Sequence, residues 1–419
     1  MLAAESGGAL SLTTQEPFMR RAPALSFLLV TVFLDIVGLG LIVPITPALL
    51  TAVTADPSQA VLWSGLLGTA FGLLQFAAAP LLGRLSDRYG RRPVLLLSLG
   101  CLGVDWLAHA IAGSPGTLLV FHAIAGACAG TNTVVNAYIA DVTPPERRAR
   151  AYGLVGAAFG LGFVAGPTIG GLLGAVDVRL PFLAAAALSF ANLAYGALIL
   201  PESRPGDRTT PLTLRATNPV SAITAILRRP VLGRLAQARL CADLARMIHQ
   251  ATWAFFLTYR FGWDTTHVGL VIAAVALAGA LFQARAVGPV VRRLGEKRTA
   301  VGGGLLSVTT FFGTAFASTP GQLYPLLTVG VLASAGGAAA QSWISGTAGA
   351  DEQGTVQGGL SAIGAVAEAV VPLAAGVAFG ALVAYGKPGL IFVVAATLAA
   401  ASTVLLALTP AGESVRTTV

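Results

Sequence analysis

Charged residues are scarce in this chain. Asp, Glu, Lys and Arg make up 11% of its 419 residues, whereas 55% of the residues are hydrophobic. The mean hydropathy is +0.78. Because roughly a quarter of the residues in a water-soluble domain are charged, this composition excludes a soluble globular protein. The functional residues must therefore lie within segments that are surrounded by lipid.

Cysteine is also rare, and the usual enzyme motifs are missing. The three cysteines, Cys101, Cys128 and Cys241, fall in apolar stretches without CxxC spacing, which argues against a disulfide framework or a metal site. The sequence shows no Ser-His-Asp set, no phosphate-binding loop and no soluble output domain, so an enzyme or a receptor is not expected. We predict no metal and no cofactor, and we expect a proton gradient to supply the energy.

No cleavable signal peptide is expected at the start of the chain. Residues 1–23 end with Arg20 and Arg21, and the apolar stretch that follows is too long for a signal-peptide core. The formal net charge of +8 comes from arginines in short connections without interleaved aromatic residues. Such charges indicate membrane topology rather than nucleic-acid binding.

Apolar stretches of about 20 residues, long enough to cross a hydrocarbon core, recur along the whole chain. Their number predicts an all-α integral membrane protein with twelve transmembrane helices. We expect the twelve spans at residues 24–50, 61–83, 93–112, 117–140, 150–173, 180–200, 231–257, 266–290, 299–317, 322–348, 356–384 and 387–409.

Basic residues predict the orientation of these spans. Lys and Arg concentrate in the even-numbered connections, and the odd-numbered connections hold few of them. Because basic loops stay in the cytoplasm, both termini are expected there, in a multi-pass protein of the inner (plasma) membrane. The basic residues of the even-numbered connections are Arg84, Arg88, Arg91, Arg92, Arg147, Arg148, Arg150, Arg292, Arg293, Lys297 and Arg298.

The chain divides into two sets of six spans. A polar stretch separates them, and GRLSDRYGRRP at 83–93 after span two is echoed by GPVVRRLGEKRT at 288–299 after span eight. Matching loops in two six-helix halves indicate a parallel repeat. The predicted domains are a cytoplasmic tail at 1–23, a first six-helix domain at 24–200, a cytoplasmic linker at 201–230, a second six-helix domain at 231–409 and a cytoplasmic tail at 410–419.

Two motifs resemble those of the major facilitator superfamily. The loop at 83–93 is similar to the family's signature loop, Gly-x-Leu-x-Asp-Arg-x-Gly-Arg-Arg. The glycine and proline spacing of span five matches the family's antiporter motif. That spacing comprises Gly153, Gly162, Gly166, Pro167, Gly170 and Gly171.

A closer resemblance, over essentially the whole chain, is to the tetracycline/proton antiporters. It is carried by FLDIVGLGLIVPITPALL, AYIADVTPPERRARAYGLVGAAFGLGFVAGPTIGGLLG, LPES, YRFGWD and VGPVVRRLGEKR. The resemblance implies export of a tetracycline or another cationic or metal-chelated drug in exchange for protons, and such a substrate can carry a divalent cation. We expect a monomer in the lipid bilayer, with small-molecule drugs and protons as partners. The alternative is a uniporter or symporter for a sugar or another small metabolite.

Ionisable residues at membrane depth are costly, so they are candidates for proton coupling. Asp35 lies near the middle of span one and matches an acidic residue of the antiporters; the alternative is a hydrogen-bonded packing residue. Asp105 and His109 are one helical turn apart in span three. His122 in span four stands where the antiporters usually carry an Arg. These three residues form either a proton relay or a set of satisfied hydrogen bonds between helices.

Substrate contacts are expected in both halves. Asn132 and Asn136 share an arc of about 80° with His122 at 100° per residue. In span seven, charged and polar residues fall within an arc of about 120°, which predicts either a cavity lining or a locked structural network. That polar stripe contains Arg239, Asp243, Arg246, His249 and Gln250.

The second half departs from the antiporter pattern. Gly279 and Ser307 replace the antiporters' His in span eight and Asp in span nine, whereas Arg285 and Glu368 are additional. We predict that Arg285 contacts substrate. Glu368 is either a carrier of protons or cations, or the neutralised partner of Arg285.

Gating is predicted at two places. Asp87 resembles the family's cap on a neighbouring helix N-terminus, which holds the cytoplasmic side closed, and Arg88 and Arg91 flank it. In span five, Gly162, Gly166 and Pro167 are expected to bend the helix and to pack it closely against a partner. A purely structural role for this stretch is the alternative.

Overall fold

The computed structural model describes residues 22–143, 145–203, 226–347 and 353–410, and these ranges contain helices and no β-strand. The predicted all-α class is therefore confirmed. The larger part of the predicted tails and of the linker lies outside the described residues.

Eight helices form the first half of the described chain. They are α1 (Ala22–Ile42), α2 (Thr46–Thr54), α3 (Pro57–Tyr89), α4 (Arg91–Ile111), α5 (Pro115–Ala127), α6 (Thr131–Val142), α7 (Pro145–Val176) and α8 (Leu180–Ile199).

Seven helices, with one π-helical turn and one 3₁₀ turn, form the second half. They are α9 (Pro230–Phe261), α10 (Thr265–Phe282), the π turn Gln283–Val287, α11 (Gly288–Leu294), α12 (Glu296–Phe316), α13 (Pro320–Thr347), α14 (Gln353–Ala384), the 3₁₀ turn Pro388–Leu390 and α15 (Ile391–Leu408).

Each predicted span has a helical counterpart in the described chain. Span one corresponds to α1 and α2, span four to α5 and α6, span eight to α10 and α11, and every other span to a single long helix. Ten of the helical segments have the length and apolar composition of a membrane span. The other two are span four, which is interrupted after Ala127, and α9, which carries several charged side chains. The number of twelve crossings stays a prediction.

Local sequence signals set several helix ends. Ser114 caps α5, because its Oγ accepts from the Thr117 backbone N–H at 3.3 Å. Asp264 caps α10 by accepting from the His267 backbone N–H at 2.7 Å. Short polar residues directly before an apolar run thus explain where these two helices begin.

The internal repeat is visible in the backbone of the two matching loops. Gly90 and Gly295 occupy corresponding positions, with φ of 101° and 78° and ψ of 162° at both. Positive φ favours glycine, which explains why both loops carry one there. The loops after span two and span eight therefore turn in the same way.

The two halves contact each other through two helix pairs, in which α3 packs on α14 and α7 packs on α10. Small residues allow these helices to approach closely, as expected in membranes. An added Cβ at Gly65 would meet the Pro372 backbone of α14, and one at Gly269 would collide with the Pro167 carbonyl of α7.

Contacts between the halves lie towards one end of the bundle. We call the end that holds Tyr89, Leu200 and Pro230 the linker side, because the linker connects there, and the other end the far side. On the far side, one buried apolar cluster contains residues of both halves, such as Val61 with Phe379. On the linker side, each half has a separate cluster. The halves are thus joined on the far side in this structure.

Candidate functional site

Asp35 lies in α1 beside α8. Its Oδ1 atom is shielded from solvent and has no hydrogen-bond partner among the described residues. Asn192 of α8 donates from Nδ2 to the Thr31 carbonyl oxygen at 3.0 Å. In an α-helix the Thr31 carbonyl is the acceptor for the backbone N–H of Asp35, so the Asn192 amide reaches the turn of α1 that carries Asp35. The alternative was that Asp35 is a packing residue held by hydrogen bonds. Its Oδ1 atom does not support this alternative, because no described residue donates a hydrogen bond to it.

The buried surroundings of Asp35 hold further polar atoms. Thr31 and Asn192 are both 0% exposed, and Thr31 Oγ1 and Asn192 Oδ1 also lack a partner in the described chain. Buried polar atoms without partners are rare and mark sites that need an explanation. The α1–α8 contact is therefore a polar site within an apolar half, and Asn192 was not predicted from the sequence.

Asp105, His109 and His122 come together as predicted. His122 Nδ1 lies 2.6 Å from Asp105 Oδ2, and His109 Nδ1 lies 3.3 Å from Asp105 Oδ1. Asp105 is 0% exposed and His109 is 6% exposed. His109 Nδ1 also lies 2.9 Å from the Asp105 backbone carbonyl oxygen, which is its hydrogen-bond contact. The hydrogen bond that joins α4 to α5 is therefore the one between His122 and the Asp105 carboxylate, and it can hold a proton between these two side chains.

A small cavity adjoins this cluster. It has a volume of about 170 Å³ and is lined by both histidines together with Trp106, Phe182 and residues of α1, α2 and α3. The ring of His109 stacks on Phe182 with centroids 5.6 Å apart, and the ring of His122 lies 4.9 Å from that of Phe71. Aromatic packing thus fixes the orientation of both imidazoles, and the cavity leaves one side of them accessible.

The polar residues that were predicted to share one face of span four belong to two separate helices. The span is interrupted at Cys128–Gly130, where the Gly130 N–H donates to Ser98 Oγ at 3.2 Å instead of continuing a single helix. His122 lies in α5 and Asn136 in α6, so one helical wheel does not relate them. Asn136 is exposed, and the side chain of Asn132 lies outside the described residues.

The polar stripe of α9 forms a connected network that also borders a cavity. Arg239 Nε lies 2.6 Å from Asp243 Oδ2, and Arg246 Nη2 lies 3.4 Å from Asp243 Oδ1. Arg239 Nη1 donates to Gln341 Oε1 at 2.9 Å, and Arg246 Nη1 donates to Gln250 Oε1 at 3.3 Å. The cavity beside them has a volume of about 520 Å³. The stripe therefore forms a connected polar network and also lines part of a cavity, so the structure is compatible with both alternatives.

Glu368 and Arg285 do not pair with each other in the described chain. Glu368 is exposed on α14 and interacts electrostatically with Arg246 and Asp243. Arg285 is exposed on the π turn after α10, and no ion pair between it and Glu368 occurs in the described chain. Arg246 and Asp243 therefore act on Glu368 electrostatically without an ion pair within 4 Å in the described chain, and Arg285 is absent from the lining of the large cavity.

The predicted gating loop is held within the first half. Arg91 forms ion pairs with Asp87 at 2.6 Å and with Asp141 at 3.0 Å. Arg91 Nη1 also donates to Ser86 Oγ at 2.9 Å. Asp87 is 45% exposed, and the side chain of Arg88 lies over the ring of Tyr89 at 5.6 Å. Asp87 thus contacts its own half in this structure.

Glu202 also binds the start of this loop's following helix. It was not predicted as a site residue, because its LPES segment entered only as part of the resemblance. Glu202 accepts from the backbone N–H groups of Arg91 at 2.7 Å and Arg92 at 3.2 Å, at the start of α4. A carboxylate at a helix N-terminus satisfies free N–H groups and suits the helix dipole. The segment after α8 is thereby bound to the start of α4.

The glycines of α7 lie at close helix contacts. An added Cβ at Gly162 would lie 3.0 Å from the Ile36 Cβ, and one at Gly166 would lie 2.7 Å from the Gly40 Cα of α1. Pro167, inside α7, presents its carbonyl to Gly269 of α10. The predicted close packing is present, and α7 connects the interior of the first half with the second half.

Comparison with known proteins identifies the family to which this architecture belongs. The family model described as Major Facilitator Superfamily matches residues 28–242 and 235–418. The chain is 38% identical over 358 residues to the class C tetracycline resistance protein of Escherichia coli, covering 85% of this chain and 89% of that protein. It is 34% identical over 355 residues to the class G tetracycline resistance protein of Vibrio anguillarum, covering 85% and 89%.

Solved structures agree on the fold. A bacterial homologue of the human lysosomal transporter Spinster, described as inward-facing and occupied, matches with a TM-score of 0.71 at 16% identity. The match covers 94% of this chain and 95% of that one.

Proposed function

Because this chain belongs to the Major Facilitator Superfamily, we propose that it is a drug/proton antiporter that exports a tetracycline or a related chelating antibiotic. That it is a transporter of the tetracycline efflux type follows from its relatives. Proton exchange and the substrate are the proposal. The observation that carries proton exchange is a pair of carboxylates at membrane depth in the first half. Asp105 is fully buried, Asp35 has one shielded oxygen, and no arginine or lysine neutralises either of them within the described chain.

Protons would be held by the first half and by Glu368. Asp35 offers a shielded carboxylate oxygen that has no donor, so protonation would lower the cost of its burial. The Asp105–His109–His122 cluster would pass protons between the carboxylate and the imidazoles. Glu368 would sense the substrate, because it interacts with the α9 network that borders the large cavity.

Transport would follow alternating access. Both termini are proposed to be cytoplasmic, which makes the linker side cytoplasmic. Because the halves are joined on the far side, this structure would represent a conformation that is open towards the cytoplasm and able to take up substrate. Rocking of the halves would then open the α3–α14 and α7–α10 contacts, and protonation would bias the equilibrium between the two states.

Inside-out vesicles with an imposed pH gradient test this proposal. An acidic interior should drive uptake of tetracycline, and a protonophore should abolish the uptake. Empty vesicles provide the control. If a neutral sugar or metabolite moved without regard to the gradient while tetracycline did not, the chain would be a facilitator instead.

A further inference from the structure

We propose that the large cavity of the second half binds an acidic oxygen group of a flat, largely apolar substrate, and that Arg246, supported by Arg239, is the group that recognises it. The inference rests on the proposed function and names the chemistry that the substrate must offer. A purely cationic compound would lack the group that Arg246 binds.

The first argument is the charge at the cavity wall. Two guanidinium groups share the single carboxylate of Asp243, which is itself only 6% exposed. Arg239 uses its short 2.6 Å contact to Asp243, whereas the contact of Arg246 is longer, at 3.4 Å. The side chain of Arg246 is 53% exposed. Arg246 therefore retains hydrogen-bond donors for a further oxygen anion.

The second argument is the position of the nearby acid. Glu368 interacts electrostatically with Arg246, but the two form no ion pair within 4 Å in the described chain. Glu368 lies on α14, where its backbone contacts Gly72 of α3 in the other half. It is absent from the lining of the cavity. Among the described residues, Asp243 is the only carboxylate in the cavity lining, so no second acid occupies the cavity beside Arg246.

The third argument is the size and lining of the cavity. Its volume of about 520 Å³ lies within the range typical of small-molecule sites, about 300–1,000 Å³. Apart from the network of α9, its wall consists mostly of alanine and glycine, with hydroxyl groups at Ser307 and Ser334. Such a wall accepts flat apolar surface. The two hydroxyl groups donate to the backbone carbonyls of Gly303 and Val331, so the donors for an anion come from the guanidinium groups.

An aromatic residue of the cavity wall packs against further aromatic rings behind it. Phe311 lines it, and the His249 ring lies 5.7 Å from the Phe311 ring. His249 in turn stacks on Trp253 with centroids 4.6 Å apart. Arg246 and Phe311 line the same cavity, so a substrate whose acidic group binds Arg246 can place its rings against Phe311.

The test compares binding of acidic and cationic probes to the full-length protein in lipid nanodiscs. Nalidixate and tetracycline each present an ionised oxygen group beside fused rings, whereas ethidium is a permanent aromatic cation. We expect the wild-type protein to bind the two acidic probes and ethidium to compete poorly. Arg246→Gln should weaken binding of the acidic probes about tenfold or more, the usual loss when a charged hydrogen-bond partner is removed.

Matched variants separate recognition from general charge effects. Arg234→Gln removes the same charge from an exposed position of α9 outside the cavity lining and should leave binding unchanged. Arg246→Lys should restore part of the affinity, because it keeps the charge but loses the planar fork. Glu368→Gln removes a negative charge that interacts with Arg246 and should therefore tighten binding of the acidic probes.

Three results would overturn the inference. They are preferential binding of ethidium or binding of no probe by the wild-type protein, unchanged affinity of Arg246→Gln for the acidic probes, and weakened acidic-probe binding by Glu368→Gln. The wild-type comparison decides the matter even if a variant fails to fold. Export driven by the pH gradient that persists in Arg246→Gln with an unchanged KM for the acidic probes would contradict this inference and leave the proposed function intact.

Discussion

In the first half, the ionisable side chains at membrane depth are acids and imidazoles in buried sites; in the second half, they are mainly arginines around one acid at the wall of a cavity. Both halves are built from the same repeat, with Gly90 and Gly295 in matching loops. The same scaffold therefore carries two different chemistries. This division favours proton binding mainly in the first half and substrate binding in the second, with Glu368 of the second half as an additional proton carrier.

The acid that most distinguishes the first half is Asp35, and its removal should have the largest effect. Asp35→Asn keeps the size of the side chain and removes its titration, so we expect proton-driven export to fall to background while folded protein remains in the membrane. Efflux from pH-jumped vesicles measures this. Asp177→Asn, at an exposed far-side turn, is the control. Undiminished efflux by Asp35→Asn would remove proton coupling from this residue.

The contact that joins the two halves can be broken next. Gly269→Ala would drive a Cβ into the Pro167 carbonyl across the α7–α10 contact. Overpacking of this kind costs about 1–3 kcal/mol, which corresponds to a population shift of about 5- to 150-fold. We expect longer far-side distances between spin labels placed on the two halves.

Gly279→Ala is the matched control on the same helix, because an added Cβ there meets no atom within 4 Å. Equal distance distributions for both variants would mean that the α7–α10 contact does not hold the far side closed.

The buried cluster of the first half should tolerate Arg at position 122 but not an apolar residue. His122→Leu removes the 2.6 Å partner of Asp105 and should lower the free energy of unfolding by about 1–3 kcal/mol. His122→Arg supplies a cation to the same carboxylate and should restore most of that stability. Unfolding in detergent, with His267→Leu at an exposed position as the control, measures the difference. An equal loss in both His122 variants would argue against pairing with Asp105.

The smallest effect is expected at Asp87, in the loop after span two. The two halves differ here, because the corresponding loop of the second half has Arg292 at this position. Asp87→Asn should slow turnover about two- to fivefold, because a half-exposed ion pair contributes about 0.2–1 kcal/mol. Drug binding should change less than turnover. A tenfold loss of equilibrium binding without any change in spin-label exchange would contradict a role as a latch.

Much of the architecture was predictable, because it depends on the composition of segments. The apolar stretches placed the helices, and the loop repeat identified the two halves. The interruption of span four was not predicted, because it depends on Ser98 of another helix accepting the Gly130 N–H. Arg285 lies on a π turn, outside the lining of the large cavity, and the sequence did not indicate this turn, which changes the angle between successive side chains. Its contact with substrate stays a prediction.

The sequence by itself determined that this chain lies in a membrane, has two related halves and carries Asp35, Asp105 and Glu368 where charge is expensive. These properties follow from hydropathy and from short motifs, which are local. Only the tertiary structure decided that His122 pairs with Asp105 across two helices, that Glu368 forms no ion pair with Arg285 in the described chain, and that the halves meet on the far side. Each of these depends on how helices distant in sequence pack together, and helix packing is set by the shapes of two surfaces at once.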